Sequence, residues 1–256
     1  MIFLKTYFYV EHELKFLKYN LIESFPHIEK FIVCEFNRTH TGMPREFIGK
    51  EKVLESLPPE LRHKILYLPL DLEGLAVEAY NREDLIHQIN EPIMRSLFMK
   101  HIELNDDDIV VSVDADEIIY GDSYGIIKEK LLTSDVCSLN LHQFFYKENY
   151  LWSNKDFIAP TAAKYSFFKH KFPCNLRYEG QTLPGKMGCH FSWCMTVDEM
   201  LYKLDTYSHP KYRFCSDREL LENAIERKEY PFDRSQKFEI VEIPHNSEIL
   251  PKSMRS

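Results

Sequence analysis

Apolar positions in the first half of the chain follow two periods that take turns. "IFLKTYFYV" at the N-terminus and "KFIVCEF" over 30–36 are unbroken runs of aromatic and branched residues. The second suits a strand covered on both faces. Between them, "EHELKFLKYNLIESF" places Leu14, Leu17, Leu21 and Ile22 at helical spacing. The polar, turn-rich "NRTHTGMPRE" follows. "KEKVLESLPPELRHKILYLPL" predicts a short helix, a break at Pro58 and Pro59, and a third strand over 64–68. "NREDLIHQINEPIMRSLFMKHIEL" predicts a long helix with a kink or boundary at Pro92. A fourth strand, "IVVSV", then runs into Asp114-Ala115-Asp116-Glu117. This alternation predicts an α/β sandwich whose mostly parallel central sheet is flanked by helices.

The second half is less regular. "DVCSLNLHQFFYKENYLW" predicts one or two strands, and "AAKYSFFKH" a further one. "TVDEMLYKLDTYSH" and "DRELLENAIERKE" are helix patterns that open on a capping Thr or Asp. No repeat, low-complexity segment or domain boundary interrupts the chain. A single catalytic domain over 1–256 is expected. Residues 1–120 would form one half and 121–245 the other, with a tail over 246–256 that wraps the surface or frays.

Composition narrows the partners. The chain has 256 residues, 44% of them apolar, enough for one sizeable core. Its formal net charge of −8, with no Lys/Arg run longer than two, argues against a nucleic-acid partner. No signal-peptide pattern and no long apolar run is present, so no membrane span and a cytoplasmic location are expected. The six cysteines form no CxxC pair. Reduced structural thiols are the favoured reading, with a Cys189–Cys194 disulfide left open.

The acidic motif carries the chemistry. It sits at the carboxyl end of a strand, where α/β sheets bind their ligands. Strand alternation would put Asp114 and Asp116 on one side, and a divalent cation would remove their repulsion. Oxygen ligands suit Mg²⁺ or Mn²⁺, which keep open positions for water and phosphate. The competing reading is a solvated helix start, with Asp116 and Glu117 at the N-terminus of "SYGIIKEKLL".

"DDDIVVSVDADEI" resembles the "DDLVIVSDVDEI" pattern of glycosyltransferase family 17, whose named member is the bisecting N-acetylglucosaminyltransferase of N-glycans. The resemblance runs in order over roughly residues 3 to 235. "YFYVEHELKFLKYNLIES" resembles the family's opening strand, acidic pair and Leu-rich helix. "KFIVCEFNRTHTGMPRE" resembles its second strand and Thr-x-x-Gly-x-Pro-Lys loop, with Arg45 in place of Lys. "NEPIMRSLF" resembles a helix carrying Glu and Arg four apart, here Glu91 and Arg95. "PGKMGCHFSWC" resembles "GGWHLSYFG", with Cys189 in place of an aromatic residue.

The resemblance implies a GT-A (Rossmann-like) fold and an inverting, metal-dependent transfer of a sugar from a nucleotide-sugar donor, UDP-sugar favoured, to a glycan acceptor. Under it, Asp116 touches Mn²⁺ or Mg²⁺, Asp114 ligates the metal or meets the donor ribose, Glu117 orients both, and His190 is a candidate third ligand. Glu11, Thr39, Thr41, Gly42, Arg45 and Arg95 are candidate donor contacts. Local readings compete: helix-start charge for Glu11, a surface ion pair for Arg45, and an i, i+4 pair with Glu91 for Arg95. Glu179 and Asp217 are candidate general bases, Asp217 being also a natural N-cap. Trp152, Trp193 and Tyr178 are candidate sugar-stacking rings, with core packing as the alternative. Animal members carry a membrane anchor ahead of the catalytic region, whereas here Met1 stands almost at the first strand, so a bare catalytic domain is expected. The rival functions are a metal-dependent nucleotidyl- or phosphotransferase, disfavoured by the lack of a Gly-rich phosphate loop, and a non-catalytic carbohydrate-binding protein.

Overall fold

The computed structural model describes residues 1–233 and 235–255. Its centre is one sheet laid down in chain order as β1 (Ile2–Phe8), β2 (Lys30–Phe36), β3 (Ile65–Leu70), β4 (Ile109–Ser112), β5 (Glu117–Ile119), β6 (Val136–Phe145), β7 (Tyr150–Lys164), β8 (Gln181–Thr182), β9 (Gly188–Ser192) and β10 (Ile240–Glu242). Spatial order is β3-β2-β1-β4-β7-β6-β9-β5, with β10 beside β7 and β8 beside β6. The first four strands in that order are parallel. From β4 onward the pairings β4–β7, β7–β6 and β9–β5 are antiparallel, and only β6 with β9 and β8 is parallel. The sheet is therefore mixed. The mostly parallel sheet expected from the alternating first half does not extend to the second, because β6 and β7 follow each other through a short turn and a turn can only join antiparallel neighbours.

Helices cover both faces. In chain order they are α1 (Leu14–Ser24), α2 (Lys50–Glu55), α3 (Glu83–Leu85), α4 (Glu91–Ser96), α5 (Ser123–Lys130), α6 (Tyr165–Phe168), α7 (Val197–Thr206) and α8 (Arg218–Arg227). Period-two alternation sorts the strand residues. Leu4 and Val111 face Leu17 of α1 and Ile127 of α5, while Phe3 and Val110 face Met94 of α4 and Phe98. Residues 83–100 form one bent helical run. A π-turn over Ile86–Asn90 joins α3 to α4, and the Glu91 N–H bonds back to the Ile86 carbonyl. Pro92 has no N–H to continue the ordinary ladder, so the kink expected there is taken up by the wider turn just before it.

A third cluster packs Trp152, Trp193 and Phe232 beneath α7 and α8. α7 opens on a reciprocal cap between Thr196 and Glu199, and α8 on the Asp217 cap. "AAKYSFFKH" is the end of β7 followed by α6 instead of a separate strand. In the described part of the tail, through Arg255, Leu250 is buried and the Ser253 N–H donates to Glu23 of α1; residue 256 lies outside the described residues. All six cysteines are free thiols, so Cys189 and Cys194 are not bonded. No described helix is long and apolar enough to cross a membrane.

Candidate active site

The acidic motif leaves the carboxyl end of β4 as a turn instead of continuing the strand. β4 stops at Ser112, and the Glu117 N–H closes the turn on the Asp114 carbonyl at 3.0 Å. Glu117 then opens β5, six residues before α5, so it does not cap that helix.

Two guanidinium groups meet the buried acids. Arg95 of α4 donates from Nη1 to Asp114 Oδ1 (2.5 Å) and from Nη2 to Oδ2 (3.2 Å). Its Nε and Nη2 also reach Glu91 Oε1, at 3.0 and 2.8 Å. Arg177 stands 3.0 Å from Asp114 Oδ1 and spans Glu117 with both arms, at 3.2 and 2.5 Å. Glu117 Oε2 also accepts the Asp114 N–H at 2.8 Å. Burial alone would raise the Asp114 pKa, but Arg177 and Arg95 together outweigh it and hold the carboxyl far below the usual range. Arg177 was not expected from sequence. It sits in a loop between Leu176 and Tyr178, both in the left-handed region (φ 53° and 60°), and no spacing advertises it.

Asp116 is different. Among the described residues nothing donates a hydrogen bond to its carboxylate, which stands 3.7 Å from His190 Nε2. Register brings them together, since β5 pairs Glu117 opposite His190 of β9. Gln143 Nε2 donates to the Phe144 carbonyl, which leaves Gln143 Oε1 facing His190 Nδ1 at 2.9 Å. The ring proton therefore sits on Nδ1, and Nε2 turns its lone pair toward Asp116. Burial pushes the His190 pKa down to about 4, so the imidazole is neutral at neutral pH. Its ring lies against Phe157 at 3.8 Å. Two electron-pair donors face each other with no proton between them, which fits a divalent cation held by a carboxylate and an imidazole.

The same cleft takes in Tyr9 and Glu13 from the segment after β1, Thr39 from the loop after β2, and Tyr202 and Lys203 from α7. Glu13 Oε2 accepts the N–H groups of Tyr9 (2.7 Å) and Val10 (3.3 Å), and burial raises its pKa to about 7. Lys203 has no carboxylate partner among the described residues and rests over the Trp193 ring at 5.1 Å.

Residues 5–228 match glycosyltransferase family 17. The chain belongs to that family. No curated protein matches the sequence. Similar solved structures include an active-site mutant of LgtC (TM-score 0.39, 12% identity) and the galactosyltransferase LgtC in complex with donor and acceptor sugar analogs (TM-score 0.36, 10% identity). Each alignment covers 66% of this chain and 59% of the LgtC chain.

In this family 17 chain, the fold gathers Asp114, Asp116, His190, Arg95 and Thr39 around one cleft. Thr39 shares a 2.9 Å hydrogen bond with Thr41, which is fully buried. Gly42 has φ 83°, and a Cβ there would fall 2.2 Å from the Val77 carbonyl oxygen, so its part is the shape of the loop. Other candidates stand elsewhere. Arg45 pairs with buried Glu35 at 3.1 Å and with the Phe36 carbonyl at 2.5 Å. Glu11 is exposed and paired with Lys52. Asp217 accepts the Leu220 N–H at 2.9 Å as a helix cap. Glu179 is held through its backbone, outside the cleft lining. Trp152 and Trp193 are buried in the third core cluster, whereas Tyr178 is 70% exposed at the cleft.

Proposed function

We propose that the protein transfers a sugar from a nucleotide-sugar donor, a UDP-sugar in the first instance, to a glycan hydroxyl, with inversion and with Mn²⁺ or Mg²⁺. The observation that carries this reading is the pairing of Asp116 and His190, lone pair to lone pair, in the cleft of a family 17 chain. A divalent cation at these two residues supplies Lewis acidity toward the diphosphate leaving group.

The chain's own groups do the rest. Arg95 and Arg177 hold Asp114 ionised and immobile, with its exposed edge toward the donor ribose. Lys203, which lines the same cleft and has no carboxylate partner among the described residues, meets phosphate charge. Glu13 accepts the proton of the acceptor hydroxyl: one oxygen is fixed by two backbone N–H groups, the other accepts no hydrogen bond among the described residues, and a pKa of about 7 suits a general base at neutral pH. It takes the role that Glu179 and Asp217, both outside the cleft lining, were expected to fill.

Calorimetry with UDP-, GDP- and dTDP-sugars, in Mn²⁺ or in EDTA, tests the reading on the parent protein and on Asp116→Asn. The expected result is UDP-sugar binding that needs the metal and is lost in the variant. Binding that ignores both EDTA and the substitution would overturn it.

A further inference from the structure

Glu83, His87, Glu91 and Arg95 stand four residues apart and form a ladder that ends on Asp114. Glu83 Oε1 is 3.4 Å from His87 Nε2, His87 Nδ1 is 2.7 Å from Glu91 Oε2, and Glu91 holds Arg95. From a distant part of the chain, His209 brings Nδ1 to 2.9 Å from Glu83 Oε1. We propose that Glu83, His87 and His209 form a second cation site, distinct in residues and in chemistry from Asp116 and His190, that takes a transition metal such as Zn²⁺.

Three observations support it. The three ligand atoms lie within 4.8 Å of one another, close enough to share one ion. His87 is oriented by a carboxylate on its far nitrogen: Nδ1 stands 2.7 Å from Glu91 Oε2, and with the ring proton there Nε2 turns its lone pair toward Glu83, the carboxylate–histidine arrangement that presents an imidazole to a metal. Two imidazoles and a carboxylate are a zinc-type donor set, richer in nitrogen than Mg²⁺ or Ca²⁺ favour. All three side chains are about one-third exposed or less, so an ion can reach them from solvent. The Lys211 ammonium, 3.1 Å from Glu83 Oε1, balances that charge without a metal. Its side chain is 55% exposed, so an ion that displaced it from Glu83 would leave the ammonium in solvent.

The site would act as a clasp. Glu83 and His209 are 126 residues apart, and His209 and Glu91 both line the cleft. Arg213 already pins the same seam, lying 3.5 Å over the Tyr80 ring and donating to Asn81 Oδ1 at 3.0 Å. A cation here would tie the helical run that carries Arg95 to the segment following α7.

The test uses the chelator-stripped 256-residue chain, titrated with Co²⁺ by visible absorption and with Zn²⁺ by calorimetry, in an Asp116→Asn background to silence the first site. Asp116→Asn should bind a single equivalent of Zn²⁺, show Co²⁺ d–d bands, and gain melting temperature with Zn²⁺. Adding His87→Gln and His209→Gln should remove all three effects. Zn²⁺ binding equal in the two proteins, or none in Asp116→Asn, would overturn the proposal. If circular dichroism shows the combined variant unfolded, Glu83→Gln, altered at a partly exposed position, carries the same comparison.

Discussion

Arg95 grips Asp114 with both terminal nitrogens, at 2.5 and 3.2 Å, while Asp116, two residues on, receives no hydrogen bond among the described residues. The two acids of one motif therefore answer to different forces. Asp116→Asn should fold with stability at or above the parent in metal-free buffer, since it removes an unpaired charge, and should lose metal-dependent donor binding. Arg95→Leu should cost about 3–5 kcal/mol, because it strips a partner from buried Asp114 and Glu91. Urea unfolding beside donor calorimetry checks both. A large stability loss in Asp116→Asn would contradict the division.

Arg177 neutralises Glu117, which has no solvent exposure. Arg177→Met should destabilise by about 3–5 kcal/mol, and adding Glu117→Leu should recover most of the loss. A double-mutant cycle in denaturant shows whether the two changes cancel. Additive losses would mean that Arg177 matters through packing alone.

Glu13→Gln keeps an oxygen for the two backbone N–H groups and removes the base. It should lower kcat by about 10²–10⁴-fold with donor affinity unchanged. A base with pKa near 7 works when deprotonated, so the parent's rate should rise with pH through about 7. The pH–rate profile of the variant should lack that rise.

Lys5 is fully buried in β1, its ammonium without a hydrogen-bond partner among the described residues and close to the Tyr7 and Phe98 rings. Burial pulls its pKa down to about 8. Holding the proton costs the folded state about 3 kcal/mol below pH 8, a cost that fades as pH rises toward the unfolded value. Lys5→Met should raise stability at pH 7 by about 1–4 kcal/mol and flatten the alkaline part of the stability curve. Denaturation at pH 7 and pH 9.5 reads both effects.

His190 is held neutral in the fold, down to about 4, but protonates near its ordinary value when unfolded. Unfolded chains therefore bind more protons below pH 6.5, and stability is lost as pH falls from there toward 4. In EDTA the loss attributable to His190 at pH 5 is about 2 kcal/mol. His190→Gln should show a correspondingly shallower decline between pH 7 and 5.

Much of the fold is written in local pattern. The early strands, α1, and the capped starts of α7 and α8 rest on periodicity and on Thr196 and Asp217 bonding a few residues ahead, all interactions within a turn or two of the chain. A strand running into Asp114 and Asp116, with a later His190, marks chemistry because uncompensated acids beside a core are costly. Tertiary structure alone decided the rest. β6 and β7 turned the sheet mixed, since strand direction depends on which edge a distant segment reaches. Arg177 lies 60 residues from Glu117, and nothing short-range distinguishes it from Arg45, which fits a carboxylate equally well and is spent on Glu35. A guanidinium, a carboxylate or an imidazole has the same chemistry wherever it stands. The pairings of Asp114 with two arginines, Asp116 with His190, and Glu83 with His209 follow from how the sheet and its loops bring remote residues within 4 Å.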